Sequence, residues 1–249
     1  MGFVSDVASR IAAIQMSLGF GEDSIETVVE DCVIFRNADD GLEGLGATRC
    51  TFRRNIVFDS NPNGTVGGDG NGIKIGVRGG LDNIAYHNIS FDNPRDGIDM
   101  ADTERSVVYN NTLFNNRKKG LRFEASRATI GGATVVNNVV KGSGQNDIVF
   151  VNSARVTLLE FNSVSDASNA GTNGFVSTDP LFDNEALVID TAVPAGKTVF
   201  DLRDYILSQV IAKFTLSTSS PLIDNGKVIV GITDGFLGSA PDIGAIESE

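Results

Sequence analysis

A period of 23 to 33 residues runs through this 249-residue chain and limits what it can fold into more than any bulk property does. The aligned segments are TVVEDCVIFRN (27–37), CTFRRNIVFDSN (50–61), NIAYHNISFDN (83–93), SVVYNNTLFNN (106–116), ATVVNNVVKGS (133–143) and VTLLEFNSVSD (156–166). Each reads as an apolar β-run, a polar or Asn-containing corner and a second short β-run. A further element recurs between them: DDGLE (39–43), GNGIKIG (70–76), RDGIDMA (95–101), KKGLRFE (118–124), NDIVFV (147–152) and NGFVS (173–177). Three short strands per repeat cannot close a sheet within one repeat. Stacking equivalent strands roughly 4.8 Å apart pairs their backbone groups between neighbours and buries the inward side chains as a column. The expected fold is therefore all-β, a right-handed parallel β-helix of about six coils, on the order of 30 Å long. Leucine-rich repeats need a leucine framework these blocks lack, and propeller blades need some 40 residues or more.

Terminal repeats of a solenoid depart from the pattern because they cover its ends. Val4, Val7, Ile11, Ile14 and Leu18 recur at helical spacing, so residues 1–24 are expected to form a helical cap or docking segment ahead of a β-helix domain at 25–249. Residues 185–214 break the period; DLRDYILSQVIAK (201–213) reads as a helix within an insertion lying against the column. Cys32 and Cys50 make no disulfide framework and are expected to be reduced and buried. A net charge of −12 argues against nucleic acid or an anionic membrane surface as partner and makes cations the natural companions. No apolar run approaches a membrane span of ~20 residues. No basic stretch leads into an apolar one at the start, so no secretory signal is visible, and the opening Met1 sets the expectation of a route other than secretion.

GDGNGIKIG (68–76), NADDGLE (37–43) and the tail SPLIDNG…GSAPDIGAIE (220–247) resemble polysaccharide lyase family 9, the pectate lyases, over residues 27–183 and 215–247. The resemblance implies a Ca²⁺ ion held by aspartates to receive a uronate carboxylate, and a lysine that removes the C5 proton to begin β-elimination. It places the lysine at Lys74 and calcium ligands at Asp39 and Asp40, with Glu43 where the family has a further aspartate. Oxygen ligands suit Ca²⁺, a dication acidifies a proton α to a bound carboxylate, and a lysine beside one can titrate nearer to working pH. Two departures stand out. The family's upstream calcium aspartate falls, here, in the expected cap, where Glu22 or Asp23 are the nearest substitutes, and family members carry several more coils ahead of this point.

Each of these residues also has a plainer reading. Asp39, Asp40 and Glu43 can be turn residues and Lys74 a solvated lysine. Asp99 and Arg122 share the phase of Lys74 on the next two coils, so Glu43, Lys74, Asp99 and Arg122 are expected in one row, binding an acidic sugar chain or pairing among themselves. Asn88, Asn111 and Asn138 share a phase that predicts a stacked amide ladder. His87, the only histidine, reads as a corner residue.

Two functions follow from the same column. One is a surface-exposed structural or decoration protein of a bacteriophage particle, of cement, spike or fibre type. It would be a homotrimer that docks on a capsid or tail protein through its N-terminal segment, with some capacity to bind acidic polysaccharide. The other is a secreted Ca²⁺-dependent polyuronate lyase.

Overall fold

The computed structural model describes residues 18–20, 24–64, 68–77, 79–125, 132–152, 154–167 and 169–248. Three parallel sheets wind round one axis as a right-handed β-helix. The first sheet stacks Leu18–Phe20, Leu42–Leu45, Ile73–Gly76, Ile98–Ala101, Leu121–Glu124 and Ile148–Val151. The second runs from Val28–Glu30 to Val156–Glu160 and the third from Val33–Phe35 to Phe175–Val176. All the strands but the first, and all of their residues but Gly44 and Leu45, fall in the repeat blocks.

The expected cap is partly corrected. Residues 1–17 and 21–23, with Glu22 and Asp23, lie outside the described residues. Leu18, the last member of the apolar series, is not helical but opens a strand in register with Leu42, so the column begins within the segment assigned to the cap. Gly19 and Phe20 continue that pairing to Glu43 and Gly44. Tertiary pairing has overridden a local period.

Inward positions carry the core. Leu42, Ile73, Ile98, Leu121 and Ile148 form one row of the first sheet, and Phe52, Ala85, Val108 and Val135 one row of the second, all at most 3% exposed. Just ahead of the first sheet, Gly41, Gly72, Gly97 and Gly120 stack one above another, and a Cβ on Gly72 would stand 1.9 Å from Ser90 Oγ and 2.7 Å from the Gly97 carbonyl oxygen. That close approach is why DDGLE, GNGIKIG, RDGIDMA and KKGLRFE share a glycine. Cys32 and Cys50 are free and buried, as expected.

The corner between the second and third sheets repeats a two-residue device. Asp31, Arg54, His87, Asn110, Asn137 and Phe161 take the left-handed conformation, with φ of 56°, 53°, 52°, 46°, 58° and 52°. The next residue points inward as Cys32, Asn55, Asn88, Asn111, Asn138 and Asn162. The expected amide ladder is present and longer than the three residues read from sequence: Asn55 Nδ2 donates to Asn88 Oδ1, Asn88 to Asn111, Asn111 to Asn138 and Asn138 to Asn162, at 2.9–3.0 Å. Backbone N–H groups of Asn55, Asn88, Asn111 and Asn138 donate to the same oxygens, and that of Cys32 donates to Asn55 Oδ1.

The outer face of the third sheet is apolar as well. Phe35, Phe58 and Phe91 stack at centroid separations of 5.2 and 4.7 Å. The helix Val199–Phe214, two residues longer at the start and one at the end than its reading from sequence, covers them with Leu202, Ile206, Val210 and Phe214. These stand one turn apart, each at most 5% exposed. Thr198 and Asp201 close its first turn as a capping box. The 185–214 insertion thus lies against the column, as its break in period implied.

Asn111→Ala is expected to destabilise the column by on the order of 3 kcal/mol, because it strands the buried Asn88 backbone and side-chain donors. Urea unfolding checks this; a loss below ~1 kcal/mol contradicts the role of the ladder.

Candidate functional site

Register on the first sheet decides which charges meet. Glu43 pairs with Lys74, Lys74 with Asp99, and Asp99 with Arg122, and Val149 ends the row. The row read from sequence therefore exists residue for residue. Strands roughly 4.8 Å apart force same-face side chains into contact, so alternation of sign is what keeps this face from repelling itself.

Lys74 stands at the centre. Its Nζ donates to Asp69 Oδ2 at 2.7 Å and lies 3.1 Å from Asp40 Oδ2 and 3.7 Å from Glu43 Oε1. Burial alone would push the lysine pKa down, but the Asp69 hydrogen bond and the charges of Asp40 and Asp69 outweigh it and hold the ammonium above the ordinary lysine range. Burial raises the pKa of Asp40 and Glu43 against the pull of Lys74.

Local structure fixes each carboxylate. Asp40, fully buried, accepts on Oδ1 from the Asn71 backbone N–H at 2.7 Å and from Asn71 Nδ2 at 2.9 Å. Its Oδ2 accepts no aligned hydrogen bond. Asp39 is turned to the Asp69 N–H at 2.6 Å, not to Lys74. Asp69 was missed from sequence. Ladder positions 55 and 88 are separated by 33 residues where 88 and 111 are separated by 23, and most of the extra residues lie between Phe58 and Ile73, in the loop that carries Asp69 back over Lys74. Its place inside GDGNGIKIG was the available signal. Burial would raise the Asp69 pKa, but the Lys74 hydrogen bond and the charges of Lys74 and Arg95 lower it.

Asp99 and Arg122 are paired with each other. Arg122 Nη1 donates to Asp99 Oδ1 and Oδ2 at 3.1 and 3.0 Å, and Nη2 to Glu124. Asp99 is 2% exposed, and burial, outweighing Arg122, pushes its carboxyl up to about 6. A pocket of about 290 Å³ opens between Lys74 and Arg122, with Asp69, Arg95, Asp102 and Glu124 around it. His87 lies away from this face, in its corner, edge-on to Tyr86 at 5.4 Å. Burial, aided by the Arg54 charge, lowers its pKa to about 4, leaving a neutral ring at neutral pH.

The donor set suits Ca²⁺ in chemistry: Asp39, Asp40 and Glu43 offer hard oxygens, and Asp40 Oδ2 is a buried acceptor without an aligned donor. Among the described residues, though, no group of three or more such side chains is arranged to hold a metal ion, and Glu22 and Asp23, the nearest substitutes for the upstream ligand, lie outside them.

The family model for the right-handed β-helix region matches residues 18–164. Among solved structures the chain is similar to one described as the crystal structure of pectate lyase Pel9A, with a TM-score of 0.58 and 20% identity over 96% of this chain and 64% of that one. The chain thus spans 64% of the length of that relative, and a likeness at this identity speaks to fold. No curated protein matches.

Asp99 gives this face a pH dependence. Its carboxyl keeps a proton up to about pH 6 in the folded chain, whereas an exposed aspartate releases it near ~3.9. A raised pKa contributes stability that is full below that lower value and lost as pH rises through the higher one, on the order of 3 kcal/mol. Unfolding of wild type and Asp99→Asn between pH 4 and 7 is expected to show wild type losing stability relative to the variant as pH rises. Parallel curves would contradict the assignment.

Proposed function

We propose, from the premise that this chain belongs to the right-handed β-helix family, that its first-sheet face binds and cleaves a polyuronate by β-elimination with Lys74 as base. The observation that carries this reading is the gathering of Asp40, Glu43 and Asp69 round Lys74 beside an open pocket. Of the carboxylates the family resemblance singles out, Asp40 and Glu43 flank Lys74, at 3.1 and 3.7 Å. With a uronate on the face and the Lys74 ammonium having first given a proton to water, the neutral Nζ takes the C5 proton. The C5–H electron pair becomes the C4–C5 double bond, the C4–O4 bond breaks, and the departing sugar oxygen takes up a proton. Asp39, Asp40 and Glu43 carry the oxygens that the family resemblance assigns to calcium, but among the described residues they are not grouped to hold an ion, and Asp39 is turned to the Asp69 N–H. Asp69, tied to both Lys74 and Arg95, orients the amine.

The ion pairing of Lys74 on three carboxylates also favours a second reading, in which the face is a salt-bridged wall. The column would then serve as a rigid decoration, spike or fibre module of a phage particle, trimeric, docked by its N-terminal segment and at most holding glycan.

Incubation with polygalacturonate and Ca²⁺ is expected to generate the ultraviolet absorbance of the unsaturated product, and Lys74→Ala to reduce turnover at least ~100-fold with its circular dichroism unchanged. A folded wild-type protein without turnover that scatters light as a trimer would replace the lyase reading with the structural one.

A further inference from the structure

Beside the helix Val199–Phe214, the outer face of the third sheet is not fully covered. A cleft of about 730 Å³ runs between the corner at the end of that sheet and the segment 185–191. Phe58, Phe91 and Phe114 form its floor. Leu187, Val188 and Ile189 make an apolar wall, and Arg36, Asp59, Asp92 and Asn115 a polar one opposite. The volume is within the roughly 300–1,000 Å³ of small-molecule sites.

Both walls are held in place. Arg36, Asp59, Asp92 and Asn115 take left-handed backbone on successive coils, at φ 54°, 53°, 53° and 52°. The Arg36 N–H donates to the Asp59 carbonyl at 3.0 Å, and that of Asp92 to the Phe114 carbonyl at 3.1 Å. Across the cleft, Lys213 Nζ donates to the carbonyls of Glu185 and Leu187, Lys141 pairs with the Glu185 carboxylate, and Tyr205 Oη donates to Asp190 at 3.1 Å. A ligand therefore meets a preformed cleft, with little ordering left to do on binding.

Most of the charges around the cleft are already matched. Arg36 Nε lies 3.2 Å from Asp59 Oδ2, and Glu185 is taken by Lys141. Lys213 is 5% exposed, and its Nζ stands over the Phe114 and Phe214 rings at 5.1 and 5.5 Å. Asp92 is different. It accepts from Asn115 Nδ2 at 2.5 Å and, among the described residues, forms no ion pair. Its side chain is open to the cleft, yet the walls desolvate it enough to raise its pKa against the Asn115 hydrogen bond and the Lys213 charge. The floor offers a cation no equivalent place. Phe35 and Phe91 cover both faces of Phe58, at 5.2 and 4.7 Å, so Phe58 can show the cleft only its edge, the positive part of the ring quadrupole.

We propose that this cleft binds a small alkylammonium compound, its charge on Asp92 and its hydrocarbon body on the edges of Phe58, Phe91 and Phe114 against Leu187 and Ile189. An inorganic cation would leave the apolar wall bare, and an anion would bring no partner for Asp92. The site is on a different sheet from Lys74 and is independent of the chemistry proposed there.

Calorimetric titration with hexylammonium chloride tests this, at an ionic strength that screens long-range attraction to the net charge. Propylammonium, hexanol and hexanoate serve as comparison ligands, and Asp92→Asn and Glu26→Gln as variants. Asparagine tolerates left-handed backbone, so Asp92→Asn keeps the corner and removes the charge. Glu26→Gln removes an equal charge outside the cleft, from a side chain 68% exposed. One site per chain is expected, with hexylammonium bound about 10-fold or more tighter than hexanol or hexanoate. It is also expected to bind about 30-fold tighter than propylammonium, at roughly 3-fold per methylene. Asp92→Asn is expected to weaken it about 10-fold or more, and Glu26→Gln to leave it unchanged. Equal weakening by both substitutions reduces the effect to net charge and overturns the site. So do hexanoate or hexanol binding as tightly, affinity independent of chain length, or no saturable binding by the folded wild type.

Discussion

Every coil of this column must turn between sheets without a side-chain-free residue at each corner, and the structure depends on how those corners are satisfied. Left-handed backbone is costly for most residues, about 1 kcal/mol or more outside glycine, asparagine and aspartate. Yet Glu26, Arg54 and His87 adopt it at φ 54°, 53° and 52°, as does Val77 at 68°. The compensation is intercoil. The N–H of Glu26 donates to the Thr48 carbonyl, that of Arg54 to Tyr86 and that of His87 to Tyr109, at 3.0–3.3 Å. Behind the corner, the buried asparagine amides both donate and accept along the axis, so no rung is complete until its neighbours are present. A coil is thus stable only in a stack, which is the nearest-neighbour behaviour expected of solenoids.

That dependence governs the site. Stacking fixes the register, and the register brings each outward side chain of the first sheet against the one on the next coil. A row of like charges there would be destabilising, and the row Glu43, Lys74, Asp99, Arg122 avoids it by alternating. The same alternation tends to use up every charge in pairs. An exception needs a residue from outside the row, and the long loop between Phe58 and Ile73 supplies it. Asp69 adds a further carboxylate to Lys74 and draws Arg95 in behind it, so the centre of the face departs from simple pairing at the coil where the period stretches.

The fold was legible because its two signals are periodic. Apolar alternation and corner asparagines recur in phase, and the shared phase of DDGLE and GNGIKIG places Glu43 in one row with Lys74 before any backbone is seen. What failed to read out was aperiodic. Leu18 fitted a helical spacing, but the edge of Leu42–Leu45 offered it a pairing partner, and a tertiary hydrogen-bonded edge outweighs a local pattern of five residues. Asp69 and Arg95 lie in loops of unequal length, where position along the chain says little about position on the face. The ladder was read as three asparagines rather than five because Asn55 and Asn162 follow Arg54 and Phe161, side chains that do not announce a left-handed corner.

Where a ligand can sit follows from which faces need covering. The outer face of the third sheet is a stack of phenylalanines, and burying each such side chain is worth roughly 1.5–3 kcal/mol, so it recruits the helix Val199–Phe214, which closes it except at the cleft along its corner. On the second sheet, the outward Glu30, Arg53 and Tyr86 are tied to one another, Arg53 donating to Glu30 at 2.6 Å and to Tyr86 at 2.8 Å. The tail reaches the corner beyond it, where Asn110 Nδ2 donates to the Asp242 carbonyl and Asn137 Nδ2 to that of Lys227. The first sheet has neither an apolar outer row to bury nor a segment of the tail laid across it among the described residues. Its outward row is polar, it borders a pocket, and the loop that breaks the period opens onto it. Charge alternation balances the outward row without an apolar cover, and the pocket between Lys74 and Arg122 opens along it.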